Sequence, residues 1–299
     1  VTVLPSVASM IALRSQGAGD KDRRAFVGFG DPLFNAEQQL AAVSSNDQVT
    51  SRGILKVRSL PVHLRAAPAT QNSASAGIDV LPRLPDTADE VHSMAVAMNA
   101  DLTKDIFIGK AASEENVKTL DLSGYRVLAF ATHGLVPGDL NGLHQPALAL
   151  SSPKLTGGAN DGLLTMGEIL SLRLDADWVV LSACNTGAAS GEGAEAFSGL
   201  GRAFFYAGTR AVLLSNWPVE TTSARLLTTD LFKRQAEDQT LTRAGALQKS
   251  MMALVSSDGF KDPESGKVVF SYAHRIFWAP FSLVGDGGGG SKLKSTAGE

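Results

Sequence analysis

The residues with the clearest chemical potential in this sequence are a cysteine and a histidine that lies 51 positions before it. Cys184 is the single cysteine among 299 residues, and His133 is one of five histidines. A thiol becomes a nucleophile at neutral pH when an imidazole takes its proton or pairs with the thiolate. The two residues could therefore form a dyad for nucleophilic catalysis.

Both residues come directly after apolar segments that have the pattern of buried strands. Segment 126–132 runs into His133, and segment 178–182 is followed by Cys184. If the two strands are parallel, their carboxyl ends meet at one edge of the sheet, where open α/β sheets bind ligands. Backbone N–H groups at such turns can hold the oxyanion of a tetrahedral intermediate. We expect Gly134 and Cys184 to supply these donors.

The spacing favours this interpretation, although each residue alone has a simpler one. A histidine roughly 50 residues before the catalytic cysteine is the arrangement of caspases. The local caspase signature is absent, because the chain reads Ser-Ala-Cys-Asn-Thr-Gly around Cys184. A single cysteine after a strand is often a small buried side chain without reactivity. A catalytically silent interaction module and an esterase or amidase for small molecules therefore stay open as alternatives.

The elements that must position this pair follow from the alternation of apolar runs with amphipathic stretches. Continuous rather than alternating apolar runs are typical of strands buried on both faces of a mostly parallel sheet. The predicted strands are 24–30, 126–132, 147–150, 178–182, 211–215 and 281–284. The predicted helices are 86–98, 113–120, 195–207, 221–236 and 240–254, the first capped by Asp86. Segments 41–79 and 138–162 are predicted to be loops.

Composition and charge exclude several classes of function. The sequence has 27 Lys and Arg against 30 Asp and Glu and no basic block, so no nucleic-acid partner is indicated. No apolar run reaches the roughly 18 residues that a membrane helix needs, so no membrane association is expected. One cysteine excludes an intrachain disulfide and a Cys-rich zinc site, and it fits a reducing, cytoplasmic compartment. The proposed chemistry requires no metal or cofactor.

Several blocks of the sequence, in order, resemble the CHAT domain, a caspase- and separase-like group of clan CD cysteine peptidases often fused to tetratricopeptide repeats. FATHG at 130–134 is similar to the histidine motif of the family, and DGLLTMGEILSLRLDADWVVLSACNTG at 161–187 is similar to its cysteine motif. GEGAEAFSGLGRAFFYAGTRAVLLSNWPV at 191–219 resembles the segment that follows. Weaker landmarks are VGFGDPLF at 27–34, LPDTADEV at 84–91 and YAHRIFWAPFSLVGD at 272–286.

The resemblance implies a fold, an activity and a domain organisation. The fold would be a caspase-like three-layer α/β sandwich, with a mostly parallel central sheet flanked by helices. His133 and Cys184 would be the catalytic pair of an endopeptidase that cleaves a specific protein or peptide substrate through a thioester. Residues 1–285 would form the domain and residues 286–299 a flexible Gly/Ser-rich tail. A repeat region before residue 1, or in a partner chain, would be the regulator.

Four further side chains are candidates for contact with the substrate. In separase relatives an acidic residue after the motif equivalent to SNWPV receives a basic P1 side chain, and Glu220 holds that position here. A glutamate at a helix start is equally explained by the helix dipole. Glu192 and Glu195, in the glycine-rich loop predicted after Cys184, have the same two interpretations. Trp217 could wall the substrate groove or cover the core.

Overall fold

The structure, a computed structural model, describes residues 2–3, 22–44, 77–182, 191–262 and 265–288. His133 lies within these ranges, whereas Cys184 lies outside them. The strands are β1 (Thr2–Val3), β2 (Arg24–Gly30), β3 (Ile106–Ile108), β4 (Tyr125–Ala131), β5 (Gly134–Leu135), β6 (Ala147–Ala149), β7 (Leu163–Thr165), β8 (Trp178–Leu181), β9 (Ala211–Ser215), β10 (Phe260–Lys261), β11 (Val268–Phe270) and β12 (Phe281–Gly285). The α-helices are α1 (Ala36–Ser44), α2 (Asp86–Ala97), α3 (Glu114–Thr119), α4 (Pro153–Thr156), α5 (Met166–Ile169), α6 (Gly191–Ala207), α7 (Thr221–Glu237) and α8 (Arg243–Val255).

Within the described ranges, seven strands form the central sheet, in the order β1-β12-β9-β8-β4-β2-β3. The five strands from β9 to β3 are mutually parallel, and β12 pairs antiparallel with β9. The sheet is therefore mostly parallel, as predicted. Because the carboxyl ends of these five strands lie at one edge, the residues that follow Gly30, Ala131 and Leu181 emerge side by side along it.

Both faces of this sheet are covered by helices. On β8, Trp178 and Val180 face one hydrophobic core, which includes apolar residues of α2, α7 and α8. Val179 and Leu181 face the other core, which includes residues of α3, α5 and α6. Burial on both faces explains why the strands read as continuous apolar runs. The predicted three-layer α/β sandwich is confirmed.

Close packing of α2 against β2 depends on two glycines. A Cβ atom on Gly28 would meet Val91 Cγ1 at 2.5 Å, and one on Gly30 would meet the carbonyl oxygen of Thr87 at 2.9 Å. Only a residue without a side chain lets the helix approach this far. The segment VGFG thus fixes the distance between β2 and the start of α2, which is the region beside His133.

A smaller antiparallel sheet, β5-β6-β7, lies next to the carboxyl edge of the main sheet. Apolar residues of segment 138–149 pack beneath it in a separate cluster with Phe34 and Leu81. One prediction is therefore wrong: segment 147–150 contributes β6 to this small sheet rather than a strand to the main one. The predicted loop at 138–162 is irregular apart from β6 and α4. Short apolar runs separated by turns do not show the hydrophobic periodicity from which helices and strands are predicted.

The termini of several elements also differ from the predictions. Pro85 precedes α2, and Asp86 does not cap it; its Oδ2 instead accepts a hydrogen bond from the Thr221 hydroxyl at 2.7 Å. A carboxylate inside the first turn is still favoured by the helix dipole. Residues 36–44, partly inside a predicted loop, form α1. Hydrogen bonds of Arg243 to Asp286 and Gly288 extend folded structure into the segment predicted as a tail.

At the opposite edge of the sheet, a cluster of charged side chains surrounds Asp177. Its carboxylate lies 3.1 to 3.7 Å from the guanidinium groups of four arginines, Arg23, Arg126, Arg210 and Arg243. This cluster borders a cavity of about 830 Å³. Burial lowers the pKa of Arg243, against the opposing effect of Asp177 and Asp286. The cluster ties the start of β2 to β8 and α8, at the edge away from His133.

Candidate active site

His133 is held at the carboxyl edge by two hydrogen bonds to Ala149, one from the preceding side chain and one to its own carbonyl oxygen. The Thr132 hydroxyl donates to the carbonyl oxygen of Ala149, and the carbonyl oxygen of His133 accepts from the Ala149 N–H at 2.9 Å. The small sheet therefore begins where β4 ends. Strand β4 can deliver His133 to a fixed position because the chain passes directly from one sheet into the other.

The imidazole of His133 is oriented by a backbone carbonyl. Its Nε2 atom lies 2.7 Å from the carbonyl oxygen of Pro82, and the ring packs 5.7 Å from that of Phe34. A carbonyl oxygen can only accept, so Nε2 must carry a proton in this contact. In the neutral imidazole, Nδ1 is then the basic nitrogen. His133 is buried, and a base at this position would act through Nδ1.

The register of β4 and β8 relates His133 to Cys184. Phe130 pairs with Leu181 in parallel, and the Ser182 N–H extends this ladder by donating to the Phe130 carbonyl oxygen at 3.0 Å. His133 and Cys184 each follow this matched pair by three residues. The sheet thus brings Ala131 and Ser182 to the same level, on neighbouring strands. Cys184 itself lies outside the described residues.

The position of Gly134 suits a backbone donor. His133 and Ala149 form a hydrogen-bonded pair of the small sheet, as the contact above shows, and Gly134 stands opposite Leu148 at the next position. Hydrogen-bonded and non-bonded pairs alternate in antiparallel sheets, so the Gly134 N–H points away from β6. This N–H is therefore free of the β6 ladder. That orientation is required of a donor in the predicted oxyanion hole.

A buried carboxylate lies beneath the strand end that leads to Cys184. Glu90 of α2 is fully buried, and its Oε2 accepts from the Ser182 hydroxyl at 3.1 Å. The Thr228 hydroxyl of α7 lies 3.4 Å from Oε1. Buried carboxylates are tolerated where hydrogen bonds compensate for lost hydration. Glu90 thus links α2, α7 and the end of β8 just before the cysteine.

Glu220, a candidate for substrate contact, caps α7. Its carboxylate accepts from the N–H groups of Thr222 at 3.1 Å and Ser223 at 2.7 Å, and the side chain is buried. Burial raises the pKa of the Tyr272 hydroxyl, and the charge of Glu220 adds to this effect. Of the two interpretations of Glu220, the structure shows the contacts of the helix cap.

The other residues predicted to contact the substrate are Trp217, Glu192 and Glu195. Trp217 is half-buried and follows Leu214 by three residues, and Leu214 is the partner of Leu181 in β9. It therefore emerges at the same level as His133. Glu192 and Glu195 lie in the first part of α6, and their side chains fall outside the described part of the structure.

The sequence predictions did not include two of the contacts above. The Pro82 carbonyl is a backbone group, and no residue type marks it. Glu90 carried a signal, because it stands beside Val91 on the buried side of an amphipathic helix. The described ranges contain no group of three or more His, Cys, Asp or Glu side chains placed to hold a metal ion.

The structure is an α/β domain with a buried, oriented histidine at the carboxyl edge of its mostly parallel sheet. The family model described as "CHAT domain" matches residues 1–286. The chain belongs to the CHAT domain family, as its motifs predicted. None of the helices within the described ranges has the length and apolarity needed to cross a membrane.

Curated relatives are much longer than this chain. It is 26% identical over 292 residues to Tetratricopeptide repeat protein 28 of Homo sapiens, covering 82% of this chain and 11% of that protein. It is 25% identical over 304 residues to the protein of the same name from Mus musculus, covering 86% and 12% respectively. The chain thus spans about a tenth of the length of these relatives.

Among solved structures, the chain is similar to the Arg-specific cysteine proteinase gingipain R. The TM-score is 0.42 at 13% identity, with 67% of this chain and 42% of that chain covered. For the complex of the pro- and mature domains of Porphyromonas gingivalis RgpB the TM-score is 0.40 at 13% identity, covering 67% and 43%.

Proposed function

We propose that this chain is a cysteine endopeptidase domain in which Cys184 is the nucleophile and His133 the general base. The observation that carries the proposal is the pairing of β4 with β8. His133 and Cys184 follow one matched residue pair at equal distance along the chain. The contact between Nε2 and the Pro82 carbonyl supports it further, since this leaves Nδ1 to accept the thiol proton.

The reaction would proceed through a thioester. Nδ1 of His133 takes the proton of Cys184 as Sγ forms a bond to the peptide carbonyl carbon. The N–H groups of Gly134 and Cys184 hold the resulting oxyanion. The carbon–nitrogen bond then breaks, and the amine leaves with the proton from His133. Water, deprotonated by His133, attacks the thioester and releases the acid, and the proton returns to the thiolate.

The substrate would be an extended segment of a specific protein that lies across the strand ends. Trp217 would wall the groove, while Glu192, Glu195 or Glu220 would meet a basic P1 side chain. The relatives are named as tetratricopeptide repeat proteins, which supports a repeat region as the regulator. A catalytic free thiol suits a reducing compartment such as the cytoplasm.

A peptide-library cleavage assay with four proteins tests this function. Wild type is compared with Cys184→Ala, His133→Gln and His144→Gln, where His144 is an exposed histidine that serves as the matched control. We expect cleavage by wild type and His144→Gln only, since both other variants lack a dyad member. Cleavage that survives Cys184→Ala would exclude the assignment. A wild type that neither cleaves nor reacts with a thiol-directed electrophile would favour the silent interaction module.

A further inference from the structure

The Pro82 carbonyl that orients His133 belongs to a segment held by side-chain hydrogen bonds to its backbone. Asn35 Nδ2 donates to the Asp79 carbonyl oxygen at 2.9 Å, and Gln38 Nε2 donates to that of Leu81 at 2.7 Å. Both donors lie in or beside α1, just after β2. The stretch before Pro82 is therefore anchored to the chain that leaves the end of β2.

The stretch after Pro82 is anchored by an ion pair. Arg83, the next residue, places its Nε 2.8 Å from Asp31 Oδ1 and its Nη2 2.6 Å from Oδ2. Two parallel hydrogen bonds of this kind fix the guanidinium plane as well as its distance. The Asp31 side chain is 3% exposed and that of Arg83 is 22% exposed, so solvent screens the pair only in part.

Asp31 is itself held in an uncommon conformation. It follows the last residue of β2 with φ of +47°, a region that residues with a side chain seldom adopt. Its N–H donates to the Thr87 hydroxyl at 2.7 Å, and that hydroxyl donates to the Leu84 carbonyl oxygen at 2.7 Å. The strand end, Arg83 and the start of α2 thus form one connected unit around Pro82.

We infer that Asp31 and Arg83 are positioning residues, which hold the Pro82 carbonyl where it fixes the orientation and tautomer of His133. The inference rests on the proposed function, because it assigns the pair a role in the same dyad. Arg83 shares a peptide unit with the Pro82 carbonyl, so movement of Arg83 rotates the oxygen that Nε2 contacts. A bidentate pair restrains that rotation, which a single lysine contact would do less well.

Two readouts on the same proteins test this role. Long-range ¹H–¹⁵N spectra give the tautomer of His133, assigned from the signals that His133→Gln removes. Alkylation of Cys184 by iodoacetamide across pH reports the thiolate. Each is measured for wild type, Asp31→Asn, Arg83→Gln and Arg83→Lys. Asp105→Asn is the matched control, because Asp105 is also 3% exposed and binds Arg24, the first residue of β2, at 2.5 Å.

We expect Asp31→Asn and Arg83→Gln to lower the population of the Nε2–H tautomer of His133. Both variants should also slow the alkylation of Cys184 at neutral pH. The alkylation rate should fall about 10- to 100-fold, which is the effect expected when a catalytic group is misplaced by about an ångström. Arg83→Lys should retain part of the rate. Asp105→Asn should lower the midpoint of thermal unfolding and leave both readouts at wild-type values.

Other outcomes separate the two proposals. If Asp31→Asn and Arg83→Lys unfold at lower temperature but keep the wild-type His133 spectrum and alkylation rate, the pair is structural and the inference is wrong. If Asp31→Asn does not fold, Arg83→Lys alone decides by the same criteria. If wild-type Cys184 titrates as an ordinary thiol, the proposed function is wrong. The His133 spectra then still show whether the pair orients the ring.

Discussion

His133 donates its Nε2 proton to the carbonyl oxygen of Pro82 across 2.7 Å. The two residues are 51 positions apart and lie on segments that the sheet brings together. The contact fixes which ring nitrogen can act as a base, and it makes the geometry around Pro82 as important as the histidine itself.

Loss of the Ser182 hydroxyl should affect both stability and the cysteine. Ser182→Ala removes a donor from the fully buried carboxylate of Glu90. Loss of one hydrogen bond to a buried carboxylate costs about 1–3 kcal/mol, so the free energy of unfolding should fall by that amount. The rate of Cys184 alkylation should fall as well, because Ser182 is two residues away. Denaturant unfolding and alkylation measure the two effects; an unchanged unfolding curve would contradict the role of Glu90.

A methyl group on Gly30 should push α2 away from β2. In Gly30→Ala the new Cβ would lie 2.9 Å from the Thr87 carbonyl oxygen, a backbone atom that cannot rotate away. Overpacking of this kind costs about 1–3 kcal/mol. Gly124→Ala is the control, because a Cβ there meets nothing within 4 Å. Equal unfolding midpoints for the two variants would show that the helix tolerates the shift.

The helix cap and the substrate-contact interpretations of Glu220 make different predictions. Loss of a capping side chain costs about 0.5–2 kcal/mol, so Glu220→Ala should destabilise the fold by that amount. If capping is the whole role, kcat/KM for peptides with basic P1 residues falls no more than for other peptides. A selective loss of basic P1 cleavage in Glu220→Gln, whose amide oxygen can still cap, would instead identify Glu220 as a specificity residue.

The cluster of charged side chains around Asp177 should contribute to stability without affecting His133 or Cys184. Arg243, 7% exposed, lies 3.5 Å from Asp177 and 3.3 Å from Asp286. Arg243→Ala removes the guanidinium that binds Asp286 and one of the four around Asp177. Breaking a buried pair outright typically costs about 3–5 kcal/mol, and the loss of unfolding free energy should be smaller here because Arg23, Arg126 and Arg210 still compensate Asp177. The His133 tautomer and the alkylation rate of Cys184 should be unchanged under folding conditions. Altered His133 signals would show that the two edges of the sheet are coupled.

The titration of Asp31 has a predicted sign. Burial raises its pKa above the ordinary 3.8, an effect that Arg83 opposes and that Asp86 and Asp89 reinforce. Between 3.8 and the raised value, the folded state binds more protons than the unfolded state, so stability contributed by this group is lost as pH rises. As pH rises over this range, wild type should therefore lose stability relative to Asp31→Asn. Unfolding free energies at several pH values measure it; a shift in favour of wild type would mean a lowered pKa.

Much of the central sheet could be predicted because burial on both faces leaves a strong sequence signal. The bounds of β2 and β9 agree to the residue, and the residues that end β4 and β8 were placed at the right edge. Helix starts were less predictable, because caps depend on contacts such as that of Asp86 with Thr221, which no local pattern reveals.

The candidate site could be predicted only where chemistry resides in side chains of marked types. His133 was found because an imidazole after a buried strand is distinctive. The hydrogen bond from His133 to the Pro82 backbone carbonyl joins segments about 50 residues apart. The ion pair of Asp31 with the loop residue Arg83 does the same. Such contacts depend on packing in three dimensions, and the small sheet beside them was missed for the same reason.

The pH dependence of Cys184 alkylation tests the central claim most directly. Cys184 is the single thiol of the chain, so mass spectrometry of the intact protein reports it without interference. If His133 activates Cys184, wild type should react with a midpoint well below the roughly 8.5 of an ordinary thiol, and His133→Gln should return to about that value. Midpoints near 8.5 for both proteins would contradict the dyad.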